Sequence, residues 1–163
     1  MGMQTDVKSF HVQTSTSSVG TTTRTRLKGA VVSNTTSGTP ANVFFANNVA
    51  LAGTYSISTT TVTVTVAAGH GLTTGVRVFL DYTSGNGTDN IYTITVTGPT
   101  TFTATVPSSS GTGNVSVYAQ ALMEVDITNS VPICVTIPGE GILATDGIYV
   151  GVPANIAATV FYG

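Results

Sequence analysis

The chain has 163 residues, enough for one full hydrophobic core or two thin ones. Only 7% of them are charged, the net charge is −2, and there is a single cysteine. That composition excludes a nucleic-acid binder, which needs a dense basic field. It also excludes an intrachain disulfide and a thiolate metal cluster.

Met1 to Asp6 lacks the basic start and apolar core of a secretion signal. Asp6 stands where a myristoylation start needs Ser or Thr, and no apolar run approaches the ~20 residues of a membrane span. Synthesis in a cytoplasm without a membrane partner is therefore expected. Polarity comes from Thr, Ser, Asn and Gly, with Thr alone about a fifth of the chain. Thr is β-branched and suits a pleated, half-wet sheet. Glu, Lys and Arg, which would solvate exposed helices, are scarce. Sheet is expected throughout.

Val7 to Thr16 alternates and predicts a first strand; Ser15 to Thr22 reads as a turn or loop. Thr23 to Ser33 predicts a second strand, with Arg24, Arg26 and Lys28 on one face, because same-face side chains recur every second residue. Asn34 to Pro40 is turn chemistry, and Val43 to Phe45 a short third strand. From Thr59 the texture changes: Thr61 to Val66 alternates strictly, the mark of a half-buried strand. Gly69-His70-Gly71 predicts a turn, Val76 to Tyr82 a strand, and Ser84-Gly85-Asn86-Gly87 a hairpin connection, since Asn and Gly tolerate positive φ. Ile91 to Val96, Thr101 to Val106 and Val115 to Tyr118 follow as strands. Then come Ala121 to Ile127, and Val131 to Ile137, where Pro132 suggests an edge or a strand start. Ile142 to Val150 and Ile156 to Tyr162 complete the series after the turn Pro138 to Gly141.

The expected fold is all-β: an antiparallel β-sandwich or barrel domain from both chain ends, interrupted by an inserted small β-sandwich or barrel domain. The boundaries read as residues 1–58 plus 119–163 for the outer, anchoring domain and 59–118 for the insertion. A hairpin connection tolerates such an insertion because its two ends are already adjacent. Two consecutive domains are the alternative.

Chemistry is sparse. Nucleophilic catalysis needs a nucleophile, a base and an orienting acid within reach of one another. His11 reads as a strand-surface residue, and His70, between two glycines, as a turn residue bonding nearby backbone. Cys134, following Pro132 and Ile133, reads as a small core residue. Asp81, Asp89 and Asn90 bracket the Ser84–Gly87 turn without Ca²⁺-loop spacing, so turn caps are expected there. No catalytic residue, metal site or cofactor is expected, and the chain does not read as an enzyme.

The charge layout says more. Arg24, Arg26 and Lys28 form a basic stripe, which reads either as a charged edge strand resisting association or as a docking stripe. Glu124 and Asp126, two apart on one strand, could meet such a stripe on a neighbouring subunit. The weak net charge favours association, and a homo-oligomer is expected.

The outer segments resemble a small protein common in short-tailed marine phages. The matching parts are Asp6-Val7-Lys8-Ser9, Thr25-Arg26-Leu27-Lys28-Gly29, Ile137-Pro138-Gly139-Glu140-Gly141-Ile142 and Val160-Phe161-Tyr162-Gly163. The shorter relatives lack the insertion. The inserted part resembles a module scattered through phage head and tail proteins, through Ala68-Gly69-His70-Gly71-Leu72, Val78-Phe79-Leu80, Ile91-Tyr92-Thr93-Ile94 and Thr101-Phe102-Thr103-Ala104-Thr105. The resemblance implies a virion structural component made in the host cytoplasm, without supplying catalytic residues. The expectation is a capsid decoration (cement) protein on the head exterior, partnered by the major capsid protein or neighbouring virion subunits. The alternatives are a tail adaptor or fibre-associated protein, and a glycan-binding module for host attachment. Against the latter, the insertion has Tyr82, Tyr92 and Tyr118 but the chain has no Trp, and Tyr is expected simply as a strand residue.

Overall fold

The computed structural model describes residues 6–13, 16–19, 22–34, 40–128 and 131–163, with 16–19 described by backbone alone. The protein is all-β, built from antiparallel sheets. The chain divides into two compact units, Met1–Asn48 with Leu122–Gly163, and Val49–Ala121.

The first unit is a two-sheet sandwich. Before the insertion it contributes β1 (Lys8–Val12), β2 (Thr16–Val19), β3 (Thr25–Asn34) and β4 (Ala41–Asn47). The inserted unit holds β5 (Ala50–Val66), β6 (Arg77–Tyr82), β7 (Asn90–Val96) and β8 (Thr101–Tyr118). Next come β9 (Ala121–Ile127), β10 (Ile133–Thr136), β11 (Ile142–Ala144), β12 (Ile148–Gly151) and β13 (Ile156–Tyr162). One sheet runs β1-β13-β3-β10, with β11 also on β3; the other runs β2-β12-β4-β9. Leu27, Val32 and Val160 of the first sheet share a core with Phe45, Ile127 and Val150 of the second. This is the usual arrangement of two inner faces packed together.

The insertion leaves after β4 and returns at β9, and these two strands are neighbours in one sheet. Its ends are thus held adjacent by the host sheet, whose pairing is not interrupted. The inserted unit starts at Val49, ten residues before the expected Thr59, and extends to Ala121.

The reason lies in β5, one strand of 17 residues where the sequence suggests a change of texture. Up to Ile57 the odd-numbered positions turn inward, with Tyr55 and Ile57 buried; from Val62 the even-numbered ones do. The switch falls at a register shift between Thr59 and Thr61, with Thr59 at φ 57°. There three residues of β8, 106–108, stand opposite Thr60 alone, and an irregularity of this kind bends the strand. Positive φ in a β-branched residue is strained, worth about 1–2 kcal/mol. Across the bend, a Cβ on Gly53 would lie 2.5 Å from the Thr65 carbonyl, so the two arms of β5 approach backbone to backbone.

β8 is likewise one strand where two were expected. Ser108 to Gly113, which the sequence places between the expected strands Thr101 to Val106 and Val115 to Tyr118, lies within a run pairing with β5 from Thr101 to Tyr118. Pro107, which has no N–H to donate, falls in the register shift opposite Thr60. The other edge of β8 takes β7 at Phe102 to Ala104 and β6 at Val115 to Tyr118. β6 and β7 pair with each other, so the sheet curls round Val62, Val64, Leu80, Ile94, Phe102 and Val117.

Three further expectations need correction. β3 is an interior strand, with β13 on one side and β10 and β11 on the other, so its charges do not guard an edge. β10 is the edge, one residue after Pro132. The Ser15 to Thr22 stretch contains β2, paired with β12. Cys134 is exposed, because Ile133 and Val135 take the core-facing positions on either side of it. The Asn34 to Pro40 turn falls, at 35–39, outside the described residues.

Candidate functional site

The basic stripe is partly engaged within the chain. Leu27 is fully buried, so Arg26 and Lys28 point outward from β3. There the Pro138–Gly141 turn meets them. Arg26 Nη2 pairs with Glu140 Oε2 at 3.0 Å, Arg26 Nη1 donates to the Gly141 carbonyl at 3.4 Å, and Lys28 Nζ donates to the Glu140 carbonyl at 2.7 Å. Glu140 is 81% exposed, so the ion pair is worth at most about 1 kcal/mol. Arg24, one residue before β3, is exposed and ion-paired to no other described residue.

Glu124 and Asp126 lie on β9, in the opposite sheet, and alternate with the core residues Val125 and Ile127. They therefore face away from the core, as the stripe does on its own sheet, and the fold does not bring the two sets together. Glu124 Oε1 accepts from Asn42 Nδ2 at 3.2 Å, a contact between neighbouring strands β9 and β4. Asp126 is exposed.

Both histidines make local contacts. His11 Nδ1 lies 3.0 Å from Thr159 Oγ1, directly across the β1–β13 pairing. His70 Nδ1 accepts the Leu72 N–H at 3.0 Å, which puts the ring proton on Nε2, donated to the Gly98 carbonyl at 3.0 Å. The ring stands edge-on to Phe102 at 5.6 Å. Thus His70 ties the turn before β6 to the one before β8.

Asp89 and Asn90, at the end of the β6–β7 connection, act as caps. Asp89 Oδ1 accepts the Tyr82 N–H at 2.7 Å, and Asn90 Oδ1 accepts the Ile91 N–H at 2.8 Å. Burial pushes the Asp89 carboxyl above its ordinary range, opposed by the Tyr82 N–H bond. Among the described residues no three His, Cys, Asp or Glu side chains gather where they could hold a metal ion.

Tyr82, Tyr92 and Tyr118, expected as strand residues, offer little ring surface to a ligand. Tyr92 is 7% exposed and Tyr118 3%. Burial, then the nearby Asp89, pushes the Tyr92 phenol up to about 12; burial, then Asp81, does the same for Tyr118. The Tyr82 hydroxyl is buried without a hydrogen-bond partner among the described residues, and its phenol is raised chiefly by burial, then by Tyr92, Tyr55 and Asp89.

A different tyrosine organises the surface. The Tyr55 hydroxyl donates to the Ser84 carbonyl at 3.0 Å and accepts the N–H groups of Asn86 at 3.0 Å and Gly87 at 3.2 Å. Its ring stands edge-on to Tyr82 at 4.6 Å. Asn86 Nδ2 donates to the Ser110 carbonyl at 2.6 Å, and Ser84 Oγ accepts the Asn114 N–H at 2.8 Å. Glycines allow this close fit: a Cβ on Gly113 would sit 2.4 Å from the Ser84 carbonyl. The Ser84–Gly87 loop is thereby clasped to both β5 and β8.

Beside the clasp lies an open groove of about 640 Å³, between the arms of β5 and the middle of β8. Thr54 and Ser56 stand on one arm, Thr63 and Thr65 on the other, with Thr112 and Asn114 from β8. Sequence reasoning missed it, since the β5 bend that creates it is hidden by a run of Ser and Thr. Its only sequence signal is the paired small-polar alternation on either side of Thr59. Compared with protein-family models and with curated proteins, the sequence matches none.

Proposed function

We propose that this chain is a virion structural protein that decorates the exterior of a bacteriophage head. The first unit serves as the anchor and the second is carried as an insertion. The observation that carries the reading is the insertion's position between β4 and β9, neighbours in one sheet. An anchoring sandwich can then carry or lack the extra unit without changing its own core. The terminal segments that resemble the phage protein all belong to that first unit, and the segments that resemble the phage module all belong to the second. Low charge and a net charge of −2 favour association with other subunits.

Docking would work by burying complementary surface against the major capsid protein or a second copy of the chain. Arg24 is the cleanest probe of the basic stripe, because Arg26 and Lys28 also bind the Pro138–Gly141 turn. Arg24→Glu should lower occupancy on co-expressed heads several-fold while leaving thermal stability unchanged. Unchanged occupancy would remove the stripe from the docking surface. Failure of the wild-type chain to bind heads at all would overturn the decoration reading.

A further inference from the structure

The groove on the second unit has the chemistry of a site for one class of ligand. Thr54, Ser56, Thr63, Thr65, Thr112 and Asn114 line it, and none of these six side chains hydrogen-bonds another described residue. Five hydroxyls and one carboxamide therefore converge with their hydrogen-bonding capacity directed at solvent. No charged side chain is among the lining residues. The volume, about 640 Å³, falls within the roughly 300–1,000 Å³ of small-molecule clefts.

The groove is also held in shape. Its bend is set by the Thr59 bulge and the close approach of Gly53 to Thr65. One wall is fixed by the Tyr55 hydroxyl on the Ser84 carbonyl and the Asn114 N–H on Ser84 Oγ. A polar array on a fixed frame loses little entropy when it binds.

We propose that this groove binds a neutral saccharide. An anion or a cation would find no counter-charge there, and an apolar ligand would leave the hydroxyls desolvated without partners. A chain of uncharged hydroxyl groups can exchange donor and acceptor bonds with each of the six side chains. With no exposed aromatic platform among the lining residues, binding is of the weak, millimolar kind. The inference stands apart from the decoration reading: the groove would bind sugar whether or not the first unit docks on a head.

The test is NMR titration of the full ¹⁵N-labelled chain with neutral tetrasaccharides of glucose, galactose, mannose and N-acetylglucosamine, and with tetragalacturonate as the anionic contrast. At least one neutral sugar should shift the amides of residues 54–56, 63–65 and 112–114 saturably, and the anionic one should not. The Thr63→Val, Thr65→Val double variant keeps side-chain shape at two exposed positions and removes two hydroxyls. It should weaken binding at least about tenfold, as expected for two lost hydrogen bonds, with the rest of its spectrum unchanged. Absence of shifts with every neutral sugar, shifts confined to other residues, equal response to the anionic sugar, or undiminished binding by the double variant would each overturn the proposal.

Discussion

Tyr55→Phe removes one oxygen and leaves the ring, including its edge-on contact with Tyr82. That oxygen serves three backbone groups of one loop: the Ser84 carbonyl and the N–H groups of Asn86 and Gly87. A net hydrogen bond is worth about 1 kcal/mol, and a buried group left unpaired costs more. Ser84 and Asn86 are exposed, so water replaces part of the loss. The expected destabilisation of the second unit is about 2 kcal/mol, or roughly a thirtyfold change in its opening equilibrium. Amide hydrogen exchange reads this directly. Asn86 and Gly87 should lose protection first and most, with smaller losses at Asn114, while β13 in the first unit stays unchanged. Unaltered exchange at Asn86 and Gly87 would refute the hub role assigned to the Tyr55 hydroxyl.

Thr59→Gly should stabilise the second unit by about 0.5–1 kcal/mol in chemical denaturation, because glycine adopts the φ of 57° without steric strain. Gly29→Ala should destabilise the first unit by about 1–3 kcal/mol, since the new Cβ would lie 2.5 Å from the Val135 carbonyl and force β10 off β3; differential scanning calorimetry would show the lowered transition. Asp89→Asn keeps the acceptor for the Tyr82 N–H and removes a carboxylate whose charged form burial disfavours. It should match or exceed wild-type stability at pH 7, whereas Asp89→Ala should fall below it. Raising Tyr92 and Tyr118 from the ordinary 10 to about 12 means the folded protein keeps protons that the unfolded chain releases between those values. Stability should therefore fall as pH rises from 10 to about 12, and tyrosinate absorbance at alkaline pH should lag behind that of the denatured chain.

The all-β class was legible because Thr-rich alternation and the near absence of charged helix formers both point to sheet. Short strands bounded by turn residues, such as Ala121 to Ile127 and Ile156 to Tyr162, are expected at their observed bounds. β5 and β8 were not, for a shared reason. A bulge reverses inside and outside within one strand, so a single alternation breaks into two pieces with a false loop between them. In β8 that false loop is Ser108 to Gly113, whose composition imitates a turn. The outward direction of Arg26 and Lys28 was legible from period two alone. Their engagement by Glu140, more than a hundred residues away, was not, because it depends on β11 returning beside β3. The groove was invisible for the same kind of reason: its six side chains come from three separated segments that meet only once β5 bends.

Decoration of the head exterior, as proposed, requires many copies of the chain in each particle. Quantitative mass spectrometry of purified particles from the virus encoding it, scaled to the major capsid protein, tests this directly. Hundreds of copies per particle, lost when the heads are stripped of surface proteins, is the expected result. A handful of copies co-purifying with tails, or none in the particle, would contradict it.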